Sequence, residues 1–204
     1  MPVMNIPINL SKKLFCLQST LYFFKKHFLV IVGLGLIAAF GRVIQLGGFG
    51  EISSTTNVIS EIAVESARVL LFLYVLGLAN IKNGILRIRN FFSNKVNKRL
   101  QWSIALQNLK KQWSSILLNV IGFSLIALAL NFLIEKLAYE TCLYLTLRKD
   151  GILAQSSSAW TILLFFKNIS VIPFTLIFQT LLVLWLLNKL TNSKSIQIIE
   201  QAGD

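Results

Sequence analysis

The chain has 204 residues, of which 55% are hydrophobic and 14% are charged, and its mean hydropathy is +0.69. A soluble domain has about a quarter of its residues charged, so this composition excludes an ordinary soluble protein and indicates a membrane protein. The formal net charge is +12, because 20 Lys and Arg stand against 8 Asp and Glu. In a soluble protein that excess would suggest nucleic acid, but in so apolar a chain it favours contact with a membrane surface.

Apolar runs of about 20 residues are long enough to cross a hydrocarbon core of about 30 Å as a helix. Four such runs cover residues 28–46, 58–81, 115–134 and 159–187, and Pro173 is expected to bend the last. The sequence therefore predicts an all-α integral membrane protein, a bundle of four transmembrane helices with basic amphipathic interfacial helices on the cytoplasmic side. The predicted organisation is a basic N-terminal segment (1–27), a transmembrane domain (28–190) with a basic connection (82–113), and a short cytoplasmic tail (191–204).

The distribution of charge predicts the orientation, because basic residues are retained on the cytoplasmic side. Fourteen of the twenty basic residues fall in the N-terminal segment, the basic connection and the tail region, and six of the eight acids fall towards the opposite side of the membrane. Both termini are therefore expected in the cytoplasm.

The protein is expected in a plasma membrane, specifically a bacterial inner membrane, since no Arg-rich and Ser-rich organellar targeting segment begins the chain. The long basic region before the first run favours an uncleaved signal anchor over a cleaved signal peptide.

Two segments show the apolar spacing of amphipathic helices. In the N-terminal segment the stripe consists of Leu10, Leu14, Leu17, Leu21, Phe24 and Phe28. In the basic connection one stripe holds Ile85, Ile88, Phe92, Val96 and Leu100, and a second holds Trp102, Leu106, Leu109 and Trp113. The break in phase between these stripes predicts two short helices, or one helix bent near Arg99.

The basic residues of these segments predict a lipid-facing surface. Its members are Lys12, Lys13, Lys25, Lys26, Arg87, Arg89, Lys95, Lys98, Arg99, Lys110 and Lys111. The expected partner is a bilayer with anionic head groups, which attract each charge by about 1 kcal/mol. An acidic cytoplasmic protein is the alternative partner. Nucleic acid is not predicted as a partner, because the interleaved aromatic residues fall on the stripe expected to be buried in lipid.

Ionisable residues inside a span are costly and suggest a functional site. The candidates are Arg42, Glu61, Glu65, Arg68 and Lys167. The short connection between the first two spans makes them antiparallel neighbours, and this predicts an ion pair between Arg42 and Glu65. One interpretation is an interhelical staple between these spans. The other is an outward-facing pocket for an anion or a proton relay, with Arg42, Arg68 and Lys167 as its positive wall.

Weaker signals concern contacts between helices. Asn119, Ser124, Asn131 and Gln179 are candidates for interhelical hydrogen bonds. The pairs Gly35 with Ala39 and Ala63 with Ala67 have the spacing of small-residue packing motifs.

The chain is poor in catalytic residue types. His27 is its only histidine, and Cys16 and Cys142 fall on opposite sides of the predicted membrane, so no disulfide, metal site or cofactor is expected. We therefore expect a non-catalytic protein, an accessory or assembly subunit of a larger membrane complex that contacts other membrane subunits or its own copies. The alternative is a small transporter or channel subunit that uses the outward-facing charged pocket.

Overall fold

The computed structural model describes residues 13–93, 95–188 and 190, and the regular secondary structure in this part of the chain is entirely helical. The helices are α1 (Phe15–Lys26), α2 (Phe28–Gln45), α3 (Ser54–Leu76), α4 (Ile81–Ser93), α5 (Lys95–Lys111), α6 (Trp113–Glu140), α7 (Leu143–Lys149), α8 (Ala159–Ile169) and α9 (Val171–Leu186).

Within the described residues, three stretches are long and apolar enough to cross a membrane. They are α2, α6, and α8 with α9 taken together as Ala159–Leu186. A fourth candidate exists only if α3 and α4 are counted as one span, and these two helices meet at an angle of 83°. The second predicted span therefore differs from the expectation, since α3 ends at Leu76 and the chain turns sharply before Ile81.

This turn, which we call the elbow (residues 77–80), results from specific backbone geometry. Leu78 and Ala79 have positive φ angles of 53° and 73°, and the amide of Ala79 donates to the carbonyl of Tyr74 at 2.9 Å. Left-handed residues of this kind end a helix and satisfy its last carbonyls. Beyond them, the side chain of Asn80 accepts a hydrogen bond from the amide of Asn83 at 3.3 Å, which caps the start of α4.

Two further contacts close the elbow. A Cβ atom at Gly84 would overlap the backbone carbonyl of Leu73, so α4 approaches the end of α3 as closely as glycine permits. Arg87 Nη1 donates to the carbonyl oxygen of Leu76 at 2.6 Å and so satisfies one of the carbonyls left unpaired at the end of α3.

The chain divides into two compact units, and several helices contribute to both. The first unit comprises the described residues up to Lys26, Leu73–Leu125, and those from Ile177 onward. The second comprises His27–Phe72 and Ile126–Leu176.

In the first unit, α1 is held on α6 by the side chain of Asn119. Its Oδ1 accepts a hydrogen bond from the amide of Leu17 at 2.8 Å, while its Nδ2 donates to the carbonyl of Lys13 at 2.6 Å and to that of Ser115 at 2.7 Å. Asn119 is fully buried. Of the four polar residues proposed for interhelical bonds, Asn119 does link two helices, whereas Asn131 bonds to Ala127 of its own helix at 2.9 Å.

The buried face of α1 differs from the predicted stripe. The residues buried are Cys16, Leu17, Thr20 and Phe23, while Leu21 is 46% exposed. The helix ends at Lys26, so Phe28 belongs to α2, and Leu10 lies outside the described residues. The face is set by the contact with α6, where Leu17 fills the space beside Gly122, and apolar spacing alone does not encode that neighbour.

Replacing Asn119 by Leu is expected to release α1 from α6. Cys16 is fully buried and burial raises the pKa of its thiol to about 12, so it should resist maleimide in the native protein. In a Cys142→Ser background, Asn119→Leu should speed the labelling of Cys16 at least about tenfold, because two buried hydrogen bonds between the helices are lost. Asn131→Leu is the matched control, and equal labelling rates in the two variants would contradict this role of Asn119.

The basic connection forms α4 and α5, and Arg99 lies inside α5. The boundary between α4 and α5 therefore lies before Arg99, near which the break in phase suggested a bend. Asn108 attaches α5 to the end of α9, since its Nδ2 donates to the carbonyl of Leu186 at 2.7 Å and to Asn188 Oδ1 at 3.0 Å. In both α4 and α5, a polar side chain thus satisfies the last carbonyls of another helix.

The second unit is built around α2, which packs on α8 and α3. A Cβ at Gly35 would lie 3.0 Å from the carbonyl oxygen of Asn168, and one at Gly41 would lie 2.5 Å from Val64 Cγ2. Both glycines therefore permit close helix contact, as small residues do in membrane proteins. Of the predicted small-residue pairs, Gly35 makes such a contact, and Ala67 belongs to a buried cluster with Ala38 and Val64.

The fourth predicted span is interrupted at Ser170, where α8 ends and α9 begins. Pro173 follows three residues later, and the ring of a proline clashes with the carbonyl four positions earlier, here that of Ile169. Ser170 Oγ donates to the carbonyl of Phe166 at 2.7 Å, and the same carbonyl accepts from the amide of Ser170 at 3.1 Å. The interruption that was expected from Pro173 is thus present and lies one turn before it.

Candidate functional site

The candidate site is a cluster of charged and amide side chains in the second unit. It is carried by the end of α2, by α3 and by α8, and its members are Arg42, Gln45, Glu61, Glu65, Arg68 and Asn168. We call these six residues the charge cluster. The close approach of α2 to α3 at Gly41 brings the side chains of the two helices within ion-pair distance.

Arg42 is the centre of the charge cluster. Its Nη1 lies 2.9 Å from Glu61 Oε2, and its Nη2 lies 3.1 Å from Glu65 Oε1. The predicted pair of Arg42 with Glu65 is therefore present, and Glu61 is a second partner. Gln45 adds two contacts of 2.6 Å, accepting from Arg42 Nη1 and donating to Glu61 Oε2.

Arg68 extends the charge cluster towards α8. Its Nη1 lies 2.7 Å from Glu65 Oε1, and its Nη2 donates to Asn168 Oδ1 at 3.0 Å. Asn168 is buried and donates from its Nδ2 to the carbonyl of Leu164 at 2.8 Å. The buried Nε of Arg68 has no hydrogen-bond partner among the described atoms.

The charges alternate in sign along the charge cluster, in the order Glu61, Arg42, Glu65, Arg68. The two arginine side chains are 24% and 26% exposed, and the two carboxylates are about half exposed. Two positive and two negative charges cancel, so Arg42 and Arg68 do not form the positive wall suggested for an anion pocket. Lys167 is half-buried on α8 and makes no ion pair with the described residues, so it is not part of this alternating arrangement.

A small recess lies beside Arg68, with a volume of about 10 Å³, close to the least that can hold one water molecule. Its lining is mainly apolar and comes from α2, α3, α8 and α9. The lining residues are Leu34, Gly35, Ala38, Ala67, Arg68, Leu71, Asn168, Ile172, Pro173 and Leu176. Apart from Arg68, no charged side chain lines it, so the recess differs from the polar, outward-facing pocket that the sequence suggested.

The predicted lipid-facing basic residues have different surroundings. Those exposed are Lys13, Lys25, Arg89, Arg99, Lys110 and Lys111. Lys26 is half-buried, with its Nζ 5.9 Å from the centre of the Tyr22 ring. Lys12 and the side chains of Lys95 and Lys98 lie outside the described residues.

Arg87 departs from that prediction. Its guanidinium is engaged with the carbonyl of Leu76, and partial burial lowers the pKa of Arg87 below its ordinary value. Its role in the structure is to hold the elbow, because carbonyls at the end of a helix carry partial negative charge and attract a cation.

Gln45 and Asn168 were not anticipated as members of the charge cluster. Gln45 follows Arg42 by three positions, which places both side chains on one helix face, and this spacing was an available signal. The sequence points to Lys167 rather than to the adjacent Asn168, because a charge inside an apolar run is the more prominent signal. Which of two adjacent residues faces a neighbouring helix depends on how α8 is rotated against α2, and this rotation is a property of the packing.

Comparison of the chain with protein-family models, curated proteins and solved structures finds no match. The functional argument therefore rests on the geometry described above.

Proposed function

We propose that the chain is a multi-pass membrane protein that acts without catalysis as an accessory or assembly subunit of a larger membrane complex. The observation that carries the proposal is the exposure of α6. Only 11% of its apolar window is buried by the rest of the chain, against 33% for α2 and 44% for Ala159–Leu186. A long apolar helix with so little cover needs lipid or other protein around it.

The residues on the exposed face of α6 favour a protein partner. Leu125, Leu128 and Phe132 are each more than 60% exposed and recur at helical spacing. Ser124 is also exposed in the middle of this face. A hydroxyl gains little from hydrocarbon, whereas small polar residues are enriched where membrane helices meet. The charge cluster is consistent with this proposal, because its compensated charges suit a staple between α2 and α3.

We further propose the orientation with both termini in the cytoplasm of a bacterial inner membrane, on the basis of the basic bias described above. Cys142 reports on this orientation directly, since it is exposed while Cys16 is buried. In intact, correctly oriented cells, an impermeant maleimide added from outside should label the protein at Cys142. Labelling of Cys142 only from the cytoplasmic side would contradict the orientation.

Photo-crosslinking in native membranes tests the subunit role. A photoreactive phenylalanine analogue at Phe132, which is 64% exposed on α6, is expected to give one protein adduct of constant mass and stoichiometry. The same analogue at Phe178 is the control, since that side chain is 3% exposed. An adduct of twice the mass of the chain would identify a second copy as the partner. Lipid adducts alone at Phe132 would contradict the proposal.

The second candidate is a small transporter or channel subunit, and the recess beside Arg68 favours it. Arg68 lines the recess, and its buried Nε lacks a hydrogen-bond partner among the described atoms. Ion flux in proteoliposomes that is abolished by Arg68→Gln, with the fold retained, would favour this candidate. Equal background flux with and without the protein would exclude it.

A further inference from the structure

We propose that α4 is an in-plane membrane helix that binds anionic phospholipid head groups through Lys82 and Arg89. The inference rests on the membrane placement in the proposed function, but not on the subunit role. It starts from the elbow, which sets α4 at 83° to α3. If α3 runs along the membrane normal, α4 lies along the membrane surface, the usual position of a basic amphipathic helix.

The two long faces of α4 have different surroundings. One face carries Gly84 and Arg87, which contact the backbone of α3 at Leu73 and Leu76. This face anchors the helix and determines its rotation about its own axis. The side of α4 half a turn away, which carries Lys82 and Arg89, is therefore directed away from the end of α3.

An apolar stripe lies between the anchored face and these basic residues. Its residues are Ile81, Ile85, Ile88 and Phe92, which recur at intervals of four, three and four. Ile85 is 51% exposed and Phe92 is 71% exposed. An exposed apolar stripe on a short helix is unfavourable in water and favourable at the level of the acyl chains.

Basic residues border this stripe. Lys82 and Arg89 are exposed and lie seven positions apart, so they fall on one edge of the helix beside Ile85. Residues 82–113 contain eight basic residues and no acid. A stripe at acyl-chain depth with cations at its edge matches the boundary between hydrocarbon and phosphate groups. This charge complementarity identifies anionic phospholipid as the occupant.

The depth of α4 is tested on the full chain in a Cys142→Ser background, reconstituted in nanodiscs. Spin labels are placed singly through Phe92→Cys, Asn90→Cys and Leu128→Cys. The label at position 92 is expected to collide more with oxygen than with a water-soluble nickel chelate, and the label at exposed Asn90 should do the opposite. Equal chelate access at positions 92 and 90 would overturn the proposal. The label on α6 at position 128 is the membrane reference, so loss of its oxygen preference would instead refute the membrane placement.

The head-group preference is tested with phosphatidylcholine nanodiscs, with and without phosphatidylglycerol. Lys82→Gln with Arg89→Gln should lower the retention of phosphatidylglycerol over phosphatidylcholine by about thirtyfold, since two surface charges are removed. Lys136→Gln with Lys149→Gln is the control, because both side chains are exposed and lie outside residues 82–113. An equal loss of preference in the two double variants would refute a specific role for Lys82 and Arg89.

Discussion

Gly84→Ala is expected to destabilise the protein by about 3 kcal/mol, because an added Cβ would overlap the backbone carbonyl of Leu73. A flexible side chain could move away from such a clash, but a carbonyl at the end of α3 cannot move without opening the elbow. The hydrogen bond from Arg87 to Leu76 is then expected to be lost as well. The measurement is the free energy of unfolding in mixed micelles, followed by tryptophan fluorescence and circular dichroism.

Gly33→Ala is the matched control for this experiment. Gly33 also lies within a helix, yet a Cβ there has nothing within 4 Å. Alanine is the better helix former by about 1 kcal/mol, so this change should be neutral or stabilising. If Gly84→Ala is as stable as Gly33→Ala, the close approach of α4 to α3 is wrong, and the argument for an in-plane α4 loses its geometric basis.

Arg42→Gln is expected to destabilise the protein by about 2 kcal/mol. The change removes the common partner of Glu61 and Glu65 and leaves the charge cluster with a net negative charge. This value lies between the small effect of an exposed pair and the large effect of breaking a buried one, since the arginine is 24% exposed. Glu61→Gln should have a smaller effect than Arg42→Gln, because Glu65 still pairs with Arg42.

A double-mutant cycle of Arg42 and Glu61 measures their interaction. We expect the double variant to be more stable than the sum of the single changes predicts, because neutral glutamines leave no unpaired charge between them. Lys136→Gln is the control, since Lys136 and Glu140 are more than half exposed and 3.6 Å apart, and its effect should be below about 0.5 kcal/mol. A coupling of zero for Arg42 and Glu61 would contradict the staple.

The alternation of charge also determines which charge reversal can restore stability. Exchanging Arg42 and Glu65 alone would place an acid beside Glu61 and a base beside Arg68, so it creates two repulsive contacts. Reversing all four charged members keeps the order of signs. Stability is therefore expected to be restored only by the fourfold reversal. Exchanging the predicted pair alone leaves each of its members beside a like charge.

Much of the helical organisation could be predicted from the sequence, because apolarity and helical period are properties of residues and their spacing. The apolar runs correspond to α2, α6 and Ala159–Leu186, and the stretch interrupted near Pro173 follows from the chemistry of proline. The pair of Arg42 and Glu65 was also predictable. A short connection makes α2 and α3 antiparallel neighbours, and counting residues from the turn brings these two positions to the same level.

Other features depend on contacts between distant parts of the chain. The elbow needs positive φ angles at Leu78 and Ala79, which local preference disfavours and only the packing of α4 on α3 stabilises. Asn119 selects the buried face of α1 across more than one hundred positions of sequence.

The sequence by itself therefore determined where the chain is apolar, where it is basic and which two helices share a charge pair. The tertiary structure alone decided that Arg87 holds the elbow, that Gln45 and Asn168 complete the charge cluster, and which face of each amphipathic helix is exposed. The physical reason is that the period of a helix fixes which residues share a face, whereas the rotation of that face follows from close contacts such as those at Gly84 and Gly122.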